Sequence, residues 1–118
     1  MKNENPLKMR IIQFSVSIMK LAHSHGADRV LNLVFNQVIR SSGSIGANVT
    51  EAHGSNSKAG FVNYFHIALQ SARETRYWLE VVKAYGPTKQ EALSRLINEV
   101  DEFERILIAS LKTMKKHR

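Results

Sequence analysis

Two carboxylates raise the first chemical question. Glu51 follows Val49 by two residues, and Glu74 lies between Ala72 and Thr75, so each acid sits at the margin of an apolar stripe. Two acids brought together in such a setting can serve as a general acid and a general base. The same residues also fit a structural role. Arg40, Asn48, Glu51 and Glu74 would satisfy one another as a buried polar network that fixes helix register. The structural role is preferred, because no nucleophile or metal set accompanies the acids. His23 and His25 form an H-x-H pair, but residues two apart on a helix point about 200° from each other and do not share a metal ion readily. His53 and His66 stand alone, and neither H-E-x-x-H nor a pair of E-x-x-H motifs occurs. The chain has no cysteine, which excludes a thiolate nucleophile, a disulfide framework and Cys-ligated zinc. No cofactor, no metal and no catalytic residue is expected.

A second candidate is the stretch SSGSIGANVTEAHG at residues 41–54, more than half of which is Gly, Ala or Ser. A phosphate loop there would need a following G-K-[ST] and a preceding strand, and neither is present. A G-x-x-G clamp of the KH type would need an α/β setting. Asn48-Val49-Thr50 is a sequon by spelling only, since no secretory signal is evident. The aromatic pairs Tyr64-Phe65 and Tyr77-Trp78 resemble stacking platforms for bases, but such residues also serve as core or interface.

The elements that must position these groups are helices. Leu7, Ile11, Phe14, Ile18 and Leu21 recur at steps of three and four, which predicts a helix over 6–25. Asp28 is placed to cap a second helix over 28–53, whose stripe is Leu31, Val34, Phe35, Val38, Ile45 and Val49. That stripe runs straight through the glycine-rich stretch, so the small residues are expected to be helical, with Gly54 as terminator. Gly43 and Gly46 each weaken a helix by about 1 kcal/mol relative to Ala. Close approach of a neighbouring helix is the expected compensation. Ser55 or Ser57 caps a third helix over 57–85, with Phe61, Phe65, Ala68, Ala72, Thr75, Leu79 and Val82 inward. Tyr85-Gly86-Pro87-Thr88 reads as a C-cap, a turn and a capping box with Glu91, starting a fourth helix over 88–115. Its stripe is Leu93, Leu96, Ile97, Val100, Leu107, Leu111 and Met114. Four such helices with short connections predict an all-α, antiparallel up-down four-helix bundle in one domain over 1–118, frayed at 1–5 and 115–118.

Charge is the remaining signal. The net charge is +7, from 17 Lys+Arg against 10 Asp+Glu, which favours polyanionic partners. Residues 91–104 carry five acids and one base, and residues 105–118 carry five bases and no acid, an order that suits the helix dipole. Arg10, Lys20, Arg73, Arg76, Lys83, Arg105, Lys112, Lys115 and Lys116 are expected to be solvated and available to phosphates. No window is apolar enough to span a membrane, and a cytoplasmic protein is expected.

These residues also carry a resemblance. Arg40, Ser44-Ile45-Gly46-Ala47-Asn48, Glu51, Gly54, Ser57-Lys58, Phe61, Ile67-Ala68-Leu69, Ser71, Glu74 and Trp78-Leu79-Glu80 stand in order within residues 40–82. The run resembles the bacterial four-helix bundle family encoded in intervening sequences of 23S ribosomal RNA genes, the S23-like proteins. The chain departs from that pattern at Ala52, where the family has glycine after Glu, and in lacking a tryptophan at the start of the first helix. The high positive charge resembles a related branch, the accessory proteins of diversity-generating retroelements. That branch implies a homopentamer whose basic surface binds nucleic acid and a reverse transcriptase. Apolar Ile12, Val16 and Met19, lying outside the main stripe of the first helix, fit subunit contacts. The expected function is therefore a non-enzymatic, oligomeric bundle binding RNA or DNA through a basic surface, as accessory or scaffold to an RNA or reverse-transcriptase complex. The alternative is a protein–protein scaffold without a nucleic-acid role, whose function would survive charge reversal at Arg73, Arg76 and Lys83.

Overall fold

The computed structural model describes residues 5–116, and the expectations for residues 1–4 and 117–118 lie outside it. Four helices follow one another: α1 (Pro6–Ser24), α2 (Arg29–Gly54), α3 (Lys58–Tyr85) and α4 (Gln90–Lys116). Their starts follow local chemistry. Asn5 Oδ1 accepts from the amides of Leu7 at 3.1 Å and Lys8 at 3.3 Å, and Pro6 occupies the first turn, where its missing N–H costs nothing. Asp28 caps α2 through the Leu31 amide at 3.0 Å, and Ser57, not Ser55, caps α3 through the Gly60 amide at 3.0 Å. Gly86 ends α3 in the left-handed region, at φ 107°, a conformation that a β-carbon disfavours.

Three boundaries differ from expectation. The capping box at Thr88 does not form. Thr88 is buried with its hydroxyl unpartnered, and the first α4 bond runs from the Leu93 amide to the Lys89 carbonyl. At the other end α4 continues through Lys115 and Lys116, and Asn5 belongs to the α1 cap.

Contacts between helices run in opposite directions along each pair. Arg40 meets Glu74 while Ser44 meets Ser71 across α2 and α3. Lys83 meets Ser94 while Arg73 meets Glu104 across α3 and α4. Gly46 lies against Ile11, and His25 stacks on Phe35, across α1 and α2. Ser24 and Lys89 line one cleft, and Phe14 packs edge-on against Phe103 at 5.3 Å, across α1 and α4. The bundle is thus antiparallel and up-down, a rod about 49 Å long. The α2–α3 seam is the most extensive and the α1–α4 seam the least.

The core is the inferred set of stripes with additions. Ile11, Phe14, Ile18, Leu31, Phe35, Val38, Ile45, Val49, Phe65, Leu79, Val82, Leu93, Val100 and Leu107 are buried. Phe103 joins them, fully enclosed, at the step between Val100 and Leu107. Residues 41–54 are helical throughout, with no positive φ. The expected close approach is met at one glycine only. A β-carbon on Gly46 would come 3.1 Å from Ile11 Cγ2, whereas one on Gly43 would have nothing within 4 Å. Ser41 and Ser44 of the stretch face α3. Ser44 and Ser71 share a hydrogen bond of 2.8 Å, and Thr75 Oγ1 donates to Ser41 Oγ at 2.8 Å, beside buried Ala68 and Ala72.

Candidate nucleic-acid interface

The nine cations expected on a phosphate-binding surface fall into two groups. Arg10, Arg73, Arg76 and Arg105 are tied to acids of α4. Arg10 reaches Glu99 and Glu102, both at 2.9 Å, and lies 5.4 Å from the centre of the Phe103 ring. Its hydrogen bonds to Glu99 and then to Glu102 push its pKa further up. Arg76 contacts Asp101 at 3.3 Å and Glu104 at 3.1 Å, Arg73 reaches Glu104 at 3.7 Å, and Arg105 pairs with Asp101 at 2.8 Å one turn earlier on the same helix. A phosphate would have to compete with carboxylates already in place. Arg10 and Arg76, 35% and 38% exposed, are therefore less free than expected, whereas Arg73 and Arg105 are paired yet stay mostly exposed, at 56% and 77%. The signal was present in the sequence: Asp101 and Glu104 stand three apart, as do Arg73 and Arg76, so each pair lies on one helix face.

Glu104 is the most enclosed of these acids, its side chain 8% exposed. Burial pushes its carboxyl above the ordinary value, with Asp101 and Glu80 acting in the same sense and Arg76 and Arg73 opposing. Its Oε2 is close to Arg76 but makes no aligned hydrogen bond within the described residues.

The second group is the lysines. Lys83 Nζ donates to Ser94 Oγ at 3.2 Å, and Lys20 lines a cleft with Ser17, Lys89 and Arg95. Lys112 and Lys115 stand with Lys58 and His66 around a groove between α3 and α4, and Lys116 is exposed in the last turn. Lys112, Lys115 and Lys116 make no ion pair among the described residues. No acid occurs in 58–73 or 105–116, the stretches that form this end of α3 and α4.

The inferred network of Arg40, Asn48, Glu51 and Glu74 is divided. Arg40 pairs with Glu74 and hydrogen-bonds Gln37, and Trp78 Nε1 donates to Glu74 at 3.0 Å. The Trp78 bond, then Arg40, holds the Glu74 carboxyl below its ordinary value. This cluster lies at the surface, with Arg40 56% and Glu74 39% exposed, so it is not a buried network. Asn48 instead donates to the Ser44 carbonyl at 2.8 Å and to its hydroxyl at 3.1 Å. Glu51 is exposed in the α1–α2 cleft with Lys8. Since Ser44 is level with Ser71, Glu51 and Glu74 lie about 15 Å apart along the bundle at 1.5 Å per residue. No acid–base pair is assembled. Of the remaining groups, His53 packs edge-on to Phe61 at 5.3 Å, and Tyr77 is exposed beside half-buried Trp78. No three His, Asp or Glu residues among those described gather closely enough for a metal ion. Among the described residues no helix is long and apolar enough to cross a membrane.

Comparison with known proteins agrees with this architecture. A solved structure of a protein of unknown function from the S23 ribosomal protein family of Bacteroides thetaiotaomicron is similar, with a TM-score of 0.80 and 33% identity. The match covers 90% of this chain and 98% of that one. No curated protein matches significantly. The family model described as 23S rRNA-intervening sequence protein matches residues 4–109. Spanning nearly the whole bundle, that match shows that the chain belongs to the 23S rRNA-intervening sequence protein family.

Proposed function

We infer that the chain is a non-enzymatic, oligomeric bundle that binds nucleic acid through the lysine-bearing end of α4, as an accessory to an RNA or reverse-transcriptase complex. One observation carries the reading. Lys112, Lys115 and Lys116 project from an acid-free stretch next to the acid-free start of α3, and they make no ion pair among the described residues. Lys20 and Lys83 add cations elsewhere on the bundle, whereas Arg10, Arg73 and Arg76 brace the helices and Arg105 pairs within α4. Self-association is supported by a second feature. Met9, Ile12, Val16 and Met19 of α1 are exposed beside a cleft of about 540 Å³ floored by Gly43, Gly46 and Ala47.

The test is binding of single-stranded RNA and of DNA across a range of salt concentrations. Affinity should fall as salt rises, and K112Q/K115Q/K116Q should lower the logarithmic salt slope by about 0.7 to 0.9 for each phosphate that is no longer neutralised. Affinity that is absent at low salt, or insensitive to salt, rejects the reading. The exposed apolar strip of α1 favours a second one, a protein–protein scaffold. In that case the triple variant would lose polyanion binding and keep its biological activity.

A further inference from the structure

The seam between α1 and α4 is the least extensive in the bundle, and small residues leave it open where α1 ends and α4 begins. Ser17, Ser24 and Ala92 line a cleft of about 410 Å³ there, beside Leu21 and Leu96. The rest of its lining is three cations, Lys20 on α1 and Lys89 and Arg95 on α4. None of the three makes an ion pair among the described residues. No acid among the described residues lines the cleft, and α1 carries none from Pro6 to Ser24. Lys89 and Arg95 lie about 9 Å apart along the helix. Ser17 stands with Arg95 and Leu96 in the adjoining pocket, so antiparallel α1 brings Lys20 to a level between the two. Lys89 also accepts the first hydrogen bond of α4, at the positive end of the helix dipole. Like charges around one cleft repel one another, and a bound anion removes that repulsion.

We propose that this cleft binds an organic diphosphate, that is, two or more linked phosphates joined to a body with an apolar face. Its volume is in the range of small-molecule sites. A phosphate monoester brings at most about two charges at neutral pH, short of the three cations present, and a diphosphate brings more. Inorganic diphosphate would leave the aliphatic patch of Leu21, Ala92 and Leu96 bare, whereas a ring or chain covers it. A nucleic-acid strand fits less well, because its charge continues in line. Beyond Arg95 the seam runs into Glu99, which Arg10 holds at 2.9 Å, and then Glu102. The cleft is also about 35 Å along α4 from Lys112, so it is separate from the lysines assigned above to nucleic acid.

The experiment is calorimetric titration of the full chain with four ligands. ADP and geranyl diphosphate carry the same two phosphates on a nucleoside and on an isoprenoid. AMP lacks the second phosphate, and inorganic pyrophosphate lacks the body. ADP or geranyl diphosphate should bind at least fivefold more tightly than both controls, and the tighter of the two identifies the body. K20Q/R95Q removes one cation from each helix. A92E adds a carboxylate to the floor, in a first turn where the dipole favours acids. Thermal melts establish that both variants fold. Each should weaken the tighter ligand at least tenfold, and K112Q/K115Q/K116Q should leave it unchanged. A diphosphate that binds no better than the controls overturns the proposal. So does binding that survives K20Q/R95Q and A92E, or that is lost in K112Q/K115Q/K116Q. If K20Q/R95Q weakens a 20-nucleotide single-stranded RNA as much as it weakens the diphosphate, the cleft is part of a general polyanion surface and the proposal falls.

Discussion

From Glu99 to Glu104, α4 faces arginines contributed by α1 and α3; from Ile108 to Lys115, it faces aliphatic side chains, Lys58 and His66. The first segment is crosslinked. Glu99 and Glu102 hold α1 through Arg10, while Asp101 and Glu104 hold α3 through Arg76, on either side of enclosed Phe103. The second segment carries cations that no acid of either wall offsets. One helix thus spends half its charge inside the molecule and presents the other half outward. A net charge counted over the whole chain does not distinguish the two, although only one of them is available to a partner.

The contrast can be broken most forcefully at Phe103. Truncation by F103A removes a fully buried ring, its edge-on contact with Phe14 and the surface under Arg10, and should cost about 3–5 kcal/mol in urea unfolding. K115A, on exposed helix, should stay within about 0.5 kcal/mol. Comparable losses from the two would mean that the second segment is braced as firmly as the first.

A smaller effect is expected from R73Q/R76Q, which leaves the enclosed Glu104 carboxylate without its cations. The expected loss is about 1–3 kcal/mol, partly restored when E104Q is added, with RNA affinity nearly unchanged. A large drop in RNA affinity with stability intact would return these arginines to the binding surface.

The smallest and sharpest test is pH. Glu104 has its carboxyl raised by burial, so the folded state holds that proton more firmly than the unfolded chain. Ionising it costs stability, which falls as pH rises from the ordinary carboxylate value through the folded one. E104Q should therefore gain on the native protein as pH rises through that window. Glu74 is lowered by Trp78 and Arg40, and its contribution is present above the ordinary value and lost as pH falls through the folded one. E74Q should lose ground as pH rises. Denaturation midpoints of the two variants across acidic pH should diverge in opposite senses; parallel curves would show that the two sites are electrostatically alike.

The helical period was plain in the sequence, and with it the four elements and most of the enclosed side chains. What escaped had a local disguise or a distant cause. Phe103 is flanked by Asp101, Glu102 and Glu104, so its surroundings in the chain look solvated although it completes the step from Val100 to Leu107. The spacing of Arg73 with Arg76 and of Asp101 with Glu104 is legible, but that these pairs meet, and that Arg10 meets Glu99, depends on which helices pack together, 25 to 89 residues apart in the chain. Thr88 and Glu91 have capping-box spacing, yet the chain enters α4 one residue later, at Lys89. The polar network failed as a group because residues near one apolar stripe of α2 still divide between opposite seams: Glu51 toward α1, Arg40 and Asn48 toward α3, where Glu74 meets Arg40.

The hydroxyls between α2 and α3 have one further consequence. A seam lined by serines and alanines has few projections, and two rods that smooth could slip lengthwise with little steric resistance. Ser44 finds Ser71, and Ser41 finds Thr75, at a single axial offset. Slippage by one turn, about 5.4 Å, would leave at most one hydroxyl pair in register, Ser41 with Ser71 or Ser44 with Thr75, and part the others. Four oxygen atoms thus act as a vernier for the longest joint in the molecule, where bulk has been given up for closeness.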